Sequence, residues 1–170
     1  ENIAFTRQIV DLAHAHGVYT EAEVGHVAKA GEADATGALA AVDDCVRLVS
    51  ETGVDSLAAA VGTAHGMYRT LPHIDFRRIQ EIKAAVKIPL VLHGGSGTPD
   101  EAIQEAIRCG ITKINIGTEL KYAWSAAMLK GLSEGEKEPR ILSAYAREQV
   151  KEVARQKIRL LGAAGKDALL

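Results

Sequence analysis

Apolar residues recur at helical intervals in some stretches and run together in others, and the two patterns alternate along the chain. Ile3, Ile9, Val10, Leu12 and Ala13 predict a helix over 2–16, with Gly17 at its end. A short strand follows at 18–24. The small, polar, Gly-containing run 28–37 reads as a mobile loop. A helix over 43–51 ends at Gly53, and 56–61 is an apolar run of strand length. Phe76, Ile79, Ile82 and Val86 share one side of a helix over 75–86, with Asp75 suited to its N-cap. The near-continuous apolar run 88–92 predicts a strand buried on both faces. Thr98-Pro99-Asp100-Glu101 reads as an N-cap, a first-turn proline and a reciprocal capping glutamate, opening a helix that closes at Gly110. A strand at 111–116, a helix at 118–132, a charged linker at 133–140 and a long amphipathic helix at 143–161 complete the chain. Four strands separated by helices predict βαβ units and a parallel α/β sheet.

Composition narrows the class. The chain has 170 residues, 47% hydrophobic and 25% charged, with a net charge of −2. Those values suit a soluble globular domain and exclude a disordered chain or a strongly basic nucleic-acid binder. No apolar run reaches the ~18 residues of a membrane span. Two cysteines, Cys45 and Cys109, are too few for a disulfide framework, so a cytoplasmic location is expected. The start, Glu1-Asn2-Ile3, reads as a cut rather than a natural beginning. A complete eight-stranded α/β barrel needs ~200–250 residues, more than this chain has.

In a parallel α/β sheet, chemistry gathers at the C-terminal strand ends. Here those ends read Glu21-Ala22-Glu23-Val24-Gly25, Gly62-Thr63-Ala64-His65-Gly66, His93-Gly94-Gly95-Ser96-Gly97 and Asn115-Ile116-Gly117-Thr118. His65 and His93 occupy matching places on successive strands, where two imidazoles can reach one ion; a catalytic zinc usually takes a third protein ligand, and the sequence offers no obvious one. Gly94 to Gly97 and Asn115 to Thr118 each precede a helix start, where backbone N–H groups and the helix dipole suit a phosphate. Glu21 and Glu23 alternate, so on a strand they share a face, and a carboxylate there suits acid–base work. Other polar residues read as structural: His14 and His16 suit a helix C-terminus. His26 and His73 fall in loops. Arg147, Lys151 and Arg155, interleaved with Glu148 and Glu152, form a solvated face. Trp124 and Phe76 are expected in the core or at a subunit contact.

In this order and spacing, Gly62 to Tyr68, Val91 to Gly97 and Lys113 to Leu120 resemble the class II, zinc-dependent ketose-bisphosphate aldolases. Met67-Tyr68 and Thr118-Glu119-Leu120-Lys121 are most similar to the tagatose-bisphosphate branch. Glu21 to Gly25 resembles that family's fifth strand, and Pro139 to Gly162 its C-terminal helix. The resemblance implies a (β/α)8 TIM barrel of which this chain supplies the second half, a single domain over 1–170 with a helical extension from 133. It implies His65 and His93 as Zn2+ ligands, with a monovalent cation as a further candidate. Gly66, Gly94, Gly95, Ser96, Asn115, Ile116, Gly117 and Thr118 would bind the dihydroxyacetone phosphate half of the substrate. Glu23 matches a catalytic carboxylate near the metal. The implied partner is a phosphorylated sugar, in a homodimer or homotetramer, with no nucleic acid and no membrane.

The implied reaction is reversible cleavage of a ketohexose 1,6-bisphosphate, fructose or tagatose, to dihydroxyacetone phosphate and glyceraldehyde 3-phosphate. A sugar-acid phosphate substrate stays open. The family's His-Leu-Asp-His-like segment, source of a third zinc ligand and a proton-transferring Asp, is missing, and about 100 further N-terminal residues would be needed to close a barrel. The loop at 27–41 is shorter than the family's and lacks its Gly-Gly. Two rivals follow. One is a non-catalytic phosphosugar-binding or assembly half. The other is a serine hydrolase built on Ser96, disfavoured because Thr98 stands where the nucleophile turn needs Gly and no His follows His93.

Overall fold

The computed structural model describes residues 2–25, 39–64, 66 and 72–166. It divides into two compact units, 1–115 and 116–170. The loop expected at 28–37 lies outside the described residues, as do His26 and all of the loop 27–41 before Leu39.

The first unit alternates helix and strand: α1 (Asn2–Ala15), β1 (Glu21–Val24), α2 (Val42–Thr52), β2 (Ser56–Ala59), α3 (Phe76–Ala85), β3 (Leu90–Leu92), α4 (Asp100–Arg108) and β4 (Ile111–Ile114). The strands are shorter than the apolar runs that predict them. β1 and β3 start later than those runs, and β2 and β4 end sooner, where the chain turns into the strand-end loops. All four strands are parallel and lie in the order β1-β2-β3-β4. Every crossover therefore steps one strand in the same direction. Right-handed crossovers of that kind put their helices on one face of the sheet. A doubly wound sheet would reverse direction partway; this one does not, as in part of a barrel.

Leu57, Ile79, Ile82, Leu92 and Ile103 are the largest fully buried side chains of this core, and all three residues of β3 are buried, as its unbroken apolar run predicts. Asp75 caps α3 by accepting a hydrogen bond from the Arg78 amide at 2.9 Å. Thr98 departs from its expected role. The helix starts at Asp100, after Pro99, and the Thr98 hydroxyl instead donates to the Gly94 carbonyl at 3.2 Å, tying off its own loop. Cys45 and Cys109 are free thiols within the core, and burial pushes the Cys45 thiol up to about 11. Such a thiol is a packing group at neutral pH.

The second unit is an α-helical hairpin, α5 (Thr118–Ser133) and α6 (Pro139–Leu160). Helix α6 starts earlier than predicted because Pro139 suits a first turn and the Glu138 side chain accepts from the Arg140 amide. Small residues let the pair approach closely: a side chain on Gly131 would meet Leu142 Cδ2 at 2.5 Å, and Ala127 and Ala146 are buried beside it. Trp124 is 40% exposed and Phe76 half-buried, so of the two places expected for them, core or subunit contact, neither lies fully in the core. The charged stripe of α6 is solvated, with Lys151–Glu148 at 2.6 Å and Arg155–Glu152 at 3.7 Å.

Candidate active site at the strand ends

Alternation along β1 puts Glu21 and Glu23 on the same face of the sheet. Register carries that face across the strands: Glu21 stands opposite Ser56, and the Glu23 row continues through Ala58 and Val91 to Lys113. His93, two residues beyond Val91, shares it. Glu21 Oε2 lies 2.7 Å from Lys113 Nζ, although their strands are the two edges of the sheet. Three strand spacings of ~4.8 Å separate those edges on a flat sheet. The side chains meet because the sheet curls toward this face.

The concave face holds one connected polar network. His93 Nδ1 is 2.6 Å from Glu23 Oε2, and its Nε2 is 3.1 Å from Glu21 Oε1. The Ser56 hydroxyl donates to Glu21 Oε2 at 3.3 Å. The imidazole is only 15% exposed. Burial works to raise the Glu21 carboxyl, but hydrogen bonds from Lys113 and His93 outweigh it and hold the group below the usual carboxylate range.

Glycines bring the strand-end loops together. Gly94 has φ +70°, and a side chain there would run into the Ala64 carbonyl oxygen. The loops after β2 and β3 are therefore in backbone contact at residues 64 and 94, the chain neighbours of His65 and His93. Gly25 is also closely packed, its added Cβ falling 2.7 Å from the Ala60 methyl. The Gly95 amide donates to the Asn115 carbonyl at 3.1 Å, joining the loops after β3 and β4. Ser96 is buried within its turn. The Thr63 hydroxyl is buried with no hydrogen-bond partner among the described residues.

Of the residues singled out from sequence, Glu23, His93, Gly94, Gly95, Ser96 and Asn115 are brought together at one end of the first unit. Gly66 is described, with φ +111°, whereas His65 lies outside the described residues. Ile116, Gly117 and Thr118 open the second unit, with Gly117 preceding the first turn of α5. From the sequence, Ser56 has only a place at the start of the strand 56–61, and Lys113 has no role. The signal for Lys113 was its two-residue spacing from Asn115.

An imidazole flanked by carboxylates is a donor set that suits zinc, and a carboxylate on the second ring nitrogen is the usual support for a ligating histidine. The residues present fit part of such a centre. Among the described residues, no three His, Cys, Asp or Glu side chains form a metal-holding group by themselves.

The sequence profile described as fructose-bisphosphate aldolase class-II matches residues 1–166. A 6-phospho-5-dehydro-2-deoxy-D-gluconate aldolase of Shouchella clausii is 45% identical over 99% of this chain, which spans 58% of that protein. The crystal structure of the YdjI aldolase of Escherichia coli superposes with a TM-score of 0.84 at 38% identity, over 97% of this chain and 57% of that one. A fructose-bisphosphate aldolase of Campylobacter jejuni shares the fold, with a TM-score of 0.77 at 22% identity, over 98% of this chain and 58% of that one. The chain thus spans somewhat over half the length of the relatives it matches. With four parallel strands in sequential order, a curled face carrying His93, and a profile match covering nearly every residue, it belongs to the class II fructose-bisphosphate aldolase family.

Proposed function

We propose that the protein carrying this chain catalyses reversible, metal-dependent aldol cleavage of a sugar phosphate whose ketone lies next to a phosphorylated carbon. The observation that carries this reading is the double carboxylate contact of His93 on the concave face, beside loops packed at Ala64 and Gly94. His65 and His93 would hold Zn2+, which when bound supplies a Lewis acid for the ketone oxygen.

The chain's own residues do the rest. Glu23 fixes the His93 ring through Nδ1 and is the candidate for moving a proton near the reacting carbon. Lys113 and Ser56 hold Glu21 beside Nε2, the nitrogen that Glu21 would have to yield to Zn2+. The loops at Gly66, at Gly94 to Ser96 and at Asn115 are candidates for receiving the phosphorylated half of the substrate, and the helix start at Gly117 and Thr118 is a candidate phosphate site in its own right. Within those loops the Gly95 amide serves the loop's own structure through Asn115. Fixing that half in place supplies much of the rate through orientation.

Two substrate classes share the required end. A ketohexose 1,6-bisphosphate, fructose or tagatose, has its ketone at carbon 2 beside the carbon 1 phosphate. The sugar acid named for the Shouchella relative has its ketone at carbon 5 beside the carbon 6 phosphate, and 45% identity to that relative favours it as a second reading. The test is release of dihydroxyacetone phosphate from each of the three compounds, with and without a chelator. Chelator-sensitive release from at least one is expected, and release from none overturns the proposal.

A further inference from the structure

We propose that Lys157 is a positioning residue for phosphate binding at the start of α5, where it cancels the charge of Glu119. The inference rests on the phosphosugar reading above and deepens it. Glu119 lies in the first turn of α5, directly after Gly117 and Thr118. A carboxylate there complements the helix dipole. The same carboxylate opposes any anion that the helix start would bind. A residue good for the helix is therefore bad for a phosphate, unless its charge is offset.

Lys157, near the end of α6, supplies that offset. Its Nζ is 2.9 Å from Glu119 Oε2, and the two side chains are only 17% and 19% exposed. The other ion pairs described within this unit differ: each has at least one partner more than half exposed, as in Lys130–Glu134, Lys151–Glu148 and Arg155–Glu152. Exposed pairs are screened by solvent and salt, whereas a sheltered charge keeps its influence on its neighbours. The ammonium arrives from the far end of a long helix, so α6 sets the electrostatics of a loop distant in sequence.

Binding of inorganic phosphate at fixed ionic strength tests this, followed through the amide resonances of Gly117 and Thr118. K157M should bind about tenfold more weakly, and K157R should stay within about twofold of the parent. The decisive variant is the neutral pair E119Q/K157M, which lacks the ion pair but also lacks the repelling charge. It should recover affinity to within about threefold. K157M binding as tightly as the parent, or a double variant as weak as K157M, overturns the inference. Thermal unfolding of all four proteins separates loss of affinity from loss of fold. A parent protein that takes up no phosphate at all overturns the phosphosugar reading, and this inference with it.

Discussion

His14 and His93 each meet a carboxylate, at 2.8 Å and 2.6 Å, and the two contacts sit at opposite ends of the same sheet. His14 closes α1 and reaches Asp55, just before β2. Asp55 also accepts from the Thr20 amide and hydroxyl, at 2.7 Å and 3.0 Å. That cluster clamps α1 and the entries of β1 and β2 at the N-terminal end, and every contact serves the fold. His93 stands past the end of β3, with a carboxylate on each ring nitrogen, among glycine-packed loops. The pairwise chemistry is nearly the same at both ends. What differs is what converges around it: backbone-anchoring groups at one end, several side chains on a curled face at the other. In α/β barrels the N-terminal end serves stability and the C-terminal end catalysis.

The largest effect expected is on activity. His93→Ala should lower aldol cleavage at least ~100-fold and deplete bound zinc, measured by steady-state assay and metal analysis. His14→Ala should stay within about threefold of the parent in the same assays. Equal losses in both variants would erase the distinction between the ends.

Gly94→Ala comes next. It forces a side chain into positive φ and against the Ala64 carbonyl, at a cost of about 1–3 kcal/mol. Urea unfolding should show that loss, and zinc content should fall with it because the loops at 64 and 94 separate. A stability loss with unchanged metal content would uncouple the loop packing from the site.

The smallest effect concerns Asp55. Hydrogen bonding from His14, then from the Thr20 amide, holds its carboxyl below the usual range. A depressed carboxylate contributes stability above its unfolded pKa of ~3.9, and that contribution is lost as pH falls through the lower, folded value. Thermal midpoints of the parent should therefore drop in this acid range. Asp55→Asn should start lower near neutral pH and show a shallower acid decline, with aldol cleavage preserved. A decline as steep as the parent's would place the acid-sensitive group elsewhere.

Much of the architecture was legible in the chain because periodicity reports burial directly. The unbroken run 88–92 announced a strand covered on both faces, and Asp75 announced its cap. Thr98 was misread because a capping sequence cannot reveal that the Gly94 carbonyl lies within reach of the same hydroxyl. Residue type and spacing picked out His93, Glu23 and the glycines, since imidazole, carboxylate and bare backbone have few substitutes at a strand end.

What only the tertiary structure decided is which of these groups touch. Lys113 joins Glu21 from the opposite edge of the sheet, and Glu119 finds Lys157 on another helix. Local pattern fixes the direction a side chain takes from its own strand or helix. Curvature and packing, which arise from many elements together, bring distant charges within 3 Å of one another.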